Sequence, residues 1–269
     1  MSPLARVSMT HEAPNPAVLS RLYLSAVLPC LTDLVEQDPA ARAVIGDAHA
    51  SIALRILGGP AATLQFKDGK IDWSNGSIGW PSITLLFLNE RHLNAFFAGN
   101  KLAIPLPVWG GWRIGLLARF SKLAAMLEAT LNGEPSVLAT QAGRRLHTRL
   151  TLIAAGLGLS SLAQGDAVAM NTLRSLPPGL AAFIIQGEPE STVWFDHGSG
   201  EQTTGWSEPP RRPDVRIVFR DMNVAYAAMR DEIDSMAAVG NGDITIDGLI
   251  PLADGLNFVM ERMRVYLQP

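Results

Sequence analysis

The sequence predicts an α+β protein made of two tandem units, each a five-stranded mixed sheet with helices covering one face. Three observations carry that expectation. First, residues recur at a nearly fixed distance. Arg21, Leu22, Leu24, Ala26, Leu31, Leu34 and Asp38 match Arg149, Leu150, Leu152, Ala154, Leu159, Leu162 and Asp166 at an offset of 128. Gly58, Pro60, Thr63, Phe66 and Gly69 match Gly187, Pro189, Thr192, Phe195 and Gly198 at 129, and Pro81, Phe87 and Ala95 match Pro213, Phe219 and Ala227 at 132. Such a period is far longer than the roughly 20 to 50 residues of a solenoid unit. Second, each half reads as helices, four strands, a helix, a strand and a helix. Third, 269 residues with 48% hydrophobic content suffice for two small cores.

The elements of the first half follow from periodicity. Apolar residues from Leu19 to Val35 have helical spacing over 16–37, with Pro29 as a kink or boundary. Asp38 followed by Pro39 opens a short helix to about Gly46. The period then shortens to that of strands, at 51–57, 62–66, 71–74 and 82–88. The turns are Gly58-Gly59-Pro60 and Asp68-Gly69. The fourth strand is nearly all apolar and is expected to be buried on both faces. Asn89 caps a helix closed by Gly99, a fifth strand is expected over 101–106, and a helix over 113–131 ends the unit.

In the second half, helices are expected over 136–164 and 167–176, strands over 180–186, 191–196, 202–206 and 214–219, and a helix capped by Asp221. A helical piece at 235–239, a fifth strand at 243–246 and a closing helix at 252–267 complete it. The linker is Asn132 to Pro135, which divides the chain into domains 1–134 and 135–269. Hairpins join the first four strands of each unit. The fifth, reached through a helix, is expected to lie parallel to a neighbour.

The same residues exclude several classes of function. A net charge of −3 leaves no electrostatic footprint for nucleic acid. The single cysteine, Cys30, permits no internal disulfide and reads as a buried apolar residue. The histidines (His11, His49, His92, His147 and His197) form no metal-binding spacing. Asp196-His197-Gly198 reads as a turn, and Gly156 to Ser160 lacks a nucleophile elbow. The basic run Arg144, Arg145, His147 and Arg149 reads as a solvated helix face or as a contact for anionic headgroups. The chain is therefore expected not to be an enzyme, and no cofactor or metal is implied. The first 20 residues lack the apolar core of a signal peptide. The longest apolar stretch, 150–163, is shorter than the roughly 20 residues of a spanning helix, so a cytoplasmic protein is expected.

Particular segments carry a family resemblance. Val215 to Asp221, a following helix, and Gly240-Asn241-Gly242-Asp243-Ile244-Thr245-Ile246-Asp247-Gly248 resemble the C-terminal half of the sterol carrier protein 2 family, as does the apolar closing helix. Ser191 to Phe195 fits as well. The first half is similar through Ile83 to Asn89 and Gly99 to Ile104. It departs where Pro105 to Trp112 replaces the region of the second glycine, and the second half departs through a charged insertion, Glu208 to Arg212. The resemblance implies a five-stranded sheet with helices enclosing an apolar tunnel for fatty acyl chains, sterols or related lipids, generally without chemistry. It also implies accessory roles beside enzymes, including lipid-handling factors in quinone synthesis.

A lipid site needs a concave apolar wall with few polar groups. The residues expected to line one are Phe96, Phe97, Leu102, Leu106, Val108, Trp109, Trp112 and Leu116 in the first half. In the second they are Met229, Met236, Ile250, Leu252, Phe258, Met260 and Met263, where methionine suits a flexible ligand. Any of them would serve equally as core. Trp109 and Trp112, flanked by Gly110, Gly111 and Arg113, suit either a membrane interface or a packed contact between the halves. The expected function is non-catalytic binding, and transfer, of a fatty acyl, sterol or quinone-like molecule, with transient membrane contact. The alternative is a filled-core accessory protein beside a lipid- or quinone-modifying partner enzyme.

Overall fold

A computed structural model describes residues 15–198 and 202–267. His11 and the other residues of 1–14, part of the stretch read for a targeting signal, lie outside the described residues. The helical run at the start is α1 (Pro16–Leu22), a π-helical turn (Tyr23–Val27) and α2 (Cys30–Gln37). Pro29 explains the turn. Proline lacks an N–H and its ring crowds the preceding turn, and the ladder widens just before it, with Leu28 N–H donating to Tyr23 O at 3.0 Å. The Leu24 carbonyl that this leaves free accepts the indole N–H of Trp73 at 2.9 Å. Cys30 is fully buried with its thiol toward Ala26 O and Leu150 O, and burial pushes its thiol pKa up, with the Asp33 charge adding to the shift.

Helix α3 (Pro39–Ile45) follows, capped by Asp38. The first sheet comprises β1 (Ala50–Ile56), β2 (Ala61–Lys67), β3 (Lys70–Asn75), β4 (Ile83–Phe87) and β5 (Leu106–Trp109). Helix α4 (Glu90–Phe97) lies between β4 and β5, and α5 (Ile114–Leu131) closes the half. The second half opens with a short helix α6 (Pro135–Leu138) and α7 (Gln141–Ala163), which are separate because Thr140 caps α7 through Gly143 N–H at 3.0 Å. Next come α8 (Ala167–Ser175), β6 (Gly179–Ile185), β7 (Glu188–His197), β8 (Thr203–Trp206) and β9 (Val215–Phe219). The chain ends with α9 (Met222–Met229), α10 (Ser235–Gly240), β10 (Ile244–Gly248) and α11 (Ile250–Leu267).

The fold is α+β, with two five-stranded mixed sheets ordered β3-β2-β1-β4-β5 and β10-β9-β6-β7-β8. In each, the parallel pair is the first and fourth strands, β1 with β4 and β6 with β9. The fifth strand is antiparallel to the fourth, against expectation. The crossover that creates the parallel pair is the connection from third to fourth strand, a loop with turn chemistry that hides a change of direction. Strand β4 is buried on one face and half-buried on the other rather than on both. The fifth strand of the first half begins at Leu106 rather than Lys101, and carries Pro107 on a sheet edge where a missing N–H is tolerated.

Some positions related by the offsets of 128 and 132 hold the same place in the two halves. Asp38 and Asp166 both cap helices, and so do Asn89 and Asp221. Strand β7 departs from this. Its pairing with β6 shifts between Phe183 and Ile185, so Phe195 stands opposite Ala181, the place Leu64 holds opposite Ile52. The identities Thr63–Thr192 and Phe66–Phe195 therefore do not share a register.

Both sheets turn one apolar face to the helices. Ile52, Leu54, Leu64, Phe66, Ile83, Leu85 and Phe87 are buried in the first, and Ala181, Phe183, Val193, Phe195, Val215 and Phe219 in the second. One core runs through both halves, with α7 between its own strands β7 and β8 and the α1–α2 run of the other half. The Pro16–Gln37 run is long and apolar enough to cross a membrane, and 67% of its most apolar 18-residue window is buried within the protein. That corrects the expectation that 150–163 is the longest apolar stretch.

Asp166 ties α8 to α11. Its carboxylate accepts from Ala169 N–H at 2.8 Å, Tyr266 Oη at 2.6 Å and Arg262 Nε at 3.1 Å. Burial pushes its pKa up, but the bonds from Tyr266, Ala169 and Arg262 outweigh this and hold it below the ordinary carboxylate value. A depressed folded pKa contributes stability above the unfolded value, about 4, and that stability is lost as pH falls through the folded pKa. Asp166→Asn is expected to flatten this part of the acid limb of a stability–pH curve measured by urea unfolding. An unchanged acid limb would contradict the assignment.

Candidate functional site

The residues expected to line a ligand site separate into two populations. Phe96 and Phe97 pack inward from α4. Phe97 stacks on Tyr23 at 4.7 Å, and Phe96 meets Phe87 and Phe97 at 5.5 and 5.4 Å. Leu252 and Met263 are buried on α11, where a Cβ at Gly158 of α7 would lie 2.0 Å from the Met263 sulfur. Leu116, Met229 and Met260 are half-buried against the core. These seven side chains fill space between elements.

The others lie at the surface. Met236, Ile250 and Phe258 are exposed on the second half. Leu102, Leu106, Val108, Trp109 and Trp112 are exposed on the first, and Trp80, Ile104 and Ile114, which the sequence reading did not single out, join them. Trp80 is 97% exposed, Leu102 90% and Trp112 69%. Trp109 and Trp112 meet edge to face at 5.5 Å and are not packed between the halves.

The backbone explains why these side chains gather. Trp109 lies opposite Thr84, and Leu106 opposite Leu86, at the edge of the sheet. Gly110 then turns with φ +73°, and a Cβ there would lie 1.9 Å from the carbonyl oxygen of Ser82. Ser82 is two residues past Trp80, so this contact brings the Trp80 loop against the Trp109–Trp112 turn. Gly248 holds the corresponding place in the second half, with φ +109° and a would-be Cβ 2.1 Å from the Asp214 carbonyl oxygen. Within the Pro105–Trp112 segment that departs from the family pattern, Gly110 holds the place of the second glycine. What differs is the partner helix. Helix α11 packs on α7 and α8 and also reaches β6, β9 and β10, whereas α5 packs chiefly on α2, α3 and α7. All four residues of β5 are exposed.

Within the basic run on α7, Arg145 is exposed, whereas His147 and Arg149 are buried. Arg149 is buried and donates to Asp33 of α2 through Nε at 2.7 Å and Nη2 at 2.6 Å, and its Nη1 reaches Ser191 Oγ at 3.3 Å. Burial works against the Arg149 charge, but Asp33, aided by Glu190 and Glu36, outweighs it and raises the guanidinium pKa. His147 is buried, with Nδ1 2.7 Å from Thr130 O, and burial lowers its pKa, so the neutral ring donates there. Arg145 pairs with Glu188, and Arg144 donates to Leu138 O at 2.8 Å. His197, read as part of a turn, lies in β7. Arg211 of the charged insertion bridges Asp196 and Asp214 at 3.2 and 2.6 Å.

Beside the buried pair, an open cleft of about 520 Å³ spans the two halves, with Glu36, Arg42, Lys70, Arg149, Glu190 and Trp206 among its walls. A second, of about 440 Å³, lies near Asn15, Asn89 and Arg91. Both have polar walls. Among the described residues, exposed tryptophans and aliphatic side chains gather on the first half, around β5 and the Trp80 loop.

No family model matches the sequence, and no curated protein matches it. Among solved structures, the chain is similar to the solution structure of the sterol carrier protein domain 2 of Helicoverpa armigera. The identity is 16% and the TM-score 0.33, over 42% of this chain and 87% of that one. A likeness of that size says nothing about what this chain binds.

Proposed function

We propose that the chain, two tandem sterol-carrier-like units divided near residue 134, binds a lipid or other apolar small molecule without transforming it. The observation that carries this reading is the apolar face of the first half. Large apolar patches are rarely left uncovered on a protein that does not use them. Here three tryptophans and five aliphatic side chains are exposed around one sheet edge. Covering such a face with an acyl chain or a fused ring stabilises the complex by about 25 cal/mol per Å² removed from water. The resemblance of the Gly240–Gly248 and Val215–Asp221 segments to the sterol carrier family supports a fatty acyl, sterol or quinone-like ligand.

A second reading rests on the inward packing of Phe96, Phe97, Leu252 and Met263. It makes the chain an accessory protein whose face contacts an enzyme of lipid or quinone metabolism. Uptake of a fatty acid, a sterol and a quinone, followed by native mass spectrometry, separates the two. The first reading expects one-to-one uptake of at least one compound and about a ten-fold weaker affinity in Trp109→Ala/Trp112→Ala, since two indoles supply much of the covered area. No uptake at all, or uptake indifferent to both tryptophans, favours the accessory role.

A further inference from the structure

We infer that the tryptophan-rich face of the first half docks onto the surface of an anionic lipid bilayer. This inference names the partner of the site proposed above and rests on reading that face as lipid-binding. Charge selects a bilayer. The chain carries a net charge of −3, yet residues 91–127 contain Arg91, Lys101, Arg113, Arg119 and Lys122 and no aspartate or glutamate. The exposed apolar side chains from Leu102 to Ile114 all lie within this acid-free stretch. Lys101 and Arg113 flank them, are exposed, and make no ion pair among the described residues. Arg119 faces elsewhere, donating to Ile45 O at 2.5 Å, and Arg91 lines the cleft near Asn15 and Asn89.

The chemistry of the face fits the boundary between headgroups and acyl chains. Indole is favoured there because its ring is apolar and its N–H is polar. Trp80, Trp109 and Trp112 offer three such rings, and Leu102, Ile104, Leu106 and Val108 offer aliphatic surface beside them. Lysine and arginine next to this surface gain from the negative potential of anionic headgroups, a gain that salt screens. Asp68, Ser207 and Asp231, the non-glycine residues with positive φ among those described, all lie outside the 102–114 segment. Within that segment the left-handed residue is Gly110, at the turn between Trp109 and Trp112.

The test is flotation of the full chain with vesicles of phosphatidylcholine, alone or mixed with phosphatidylglycerol, at low and high salt. Mixed vesicles are expected to bind about ten-fold more strongly than neutral ones at low salt, with most of that excess lost at high salt. Lys101→Glu/Arg113→Glu is expected to reduce binding to mixed vesicles at least about ten-fold while one-to-one ligand uptake from solution persists. Failure of vesicle binding with intact uptake overturns the docking proposal alone, whereas failure of uptake overturns the ligand reading. Equal binding to neutral and mixed vesicles overturns the proposal. So does a dimer in sedimentation that Trp109→Ala/Trp112→Ala turns into a monomer, because the face would then be covered by a second copy. Circular dichroism and thermal unfolding of each variant establish that lost binding is not lost folding.

Discussion

Asp33→Ala is expected to destabilise the protein by about 3–5 kcal/mol, because it strands the Arg149 guanidinium in the core. The pair joins α2 of the first half to α7 of the second through two hydrogen bonds, and both side chains are withdrawn from water. Ser191 Oγ, at 3.3 Å, is the one other hydrogen-bond partner Arg149 has among the described residues and cannot carry its charge. Removing both charges is a different matter. Asp33→Leu/Arg149→Met is expected to lie within about 1–2 kcal/mol of the parent, since a buried ion pair often does no better than apolar residues of similar volume. Urea unfolding checks both, and a loss below about 1 kcal/mol in the single variant would mean that Arg149 has water or another anion beside it.

The second large effect is expected at Gly110. Alanine there needs a left-handed backbone and places a methyl group 1.9 Å from the Ser82 carbonyl oxygen. The backbone strain alone amounts to about 1–3 kcal/mol, and the strand must also move. Gly110→Ala is therefore expected to lose roughly 3 kcal/mol or more and to weaken ligand uptake, because the Trp109–Trp112 turn is displaced from the Trp80 loop. Gly115→Ala is the control. Its Cβ would meet nothing within 4 Å and its φ is not left-handed, so on α5 it is expected to be neutral or to stabilise by up to about 1 kcal/mol. Thermal unfolding compares the pair. Equal stability of the two variants would show that β5 is loosely held against the Trp80 loop.

The element order and most boundaries were legible because they rest on local signals: Asp38, Asn89, Asp166 and Asp221 as caps, and strand periodicity at β1, β2 and β9. Topology was less legible. Nothing local in Gly76 to Pro81 signals that β4 runs parallel to β1, since pairing direction depends on where the chain goes next. The β7 register was hidden by a bulge, which shifts a strand without altering its composition. Half of the site was legible as well. Trp109 and Trp112 stood out by type and spacing, whereas Trp80 sits far off in sequence and joins them only through the Gly110–Ser82 contact. Arg149 was misread because a helix apolar on one side leaves its basic residues to be assigned to solvent, and its partner Asp33 is supplied by the other half.

The central claim is that this chain carries an apolar molecule rather than transforming one. Native mass spectrometry of freshly purified protein, followed by solvent extraction and identification of whatever is released, tests it most directly. The account predicts a stoichiometric apolar passenger, or one-to-one uptake of a supplied fatty acid, sterol or quinone, recovered chemically unchanged. A protein that remains at its bare mass through that panel, or that returns the ligand altered, would contradict it.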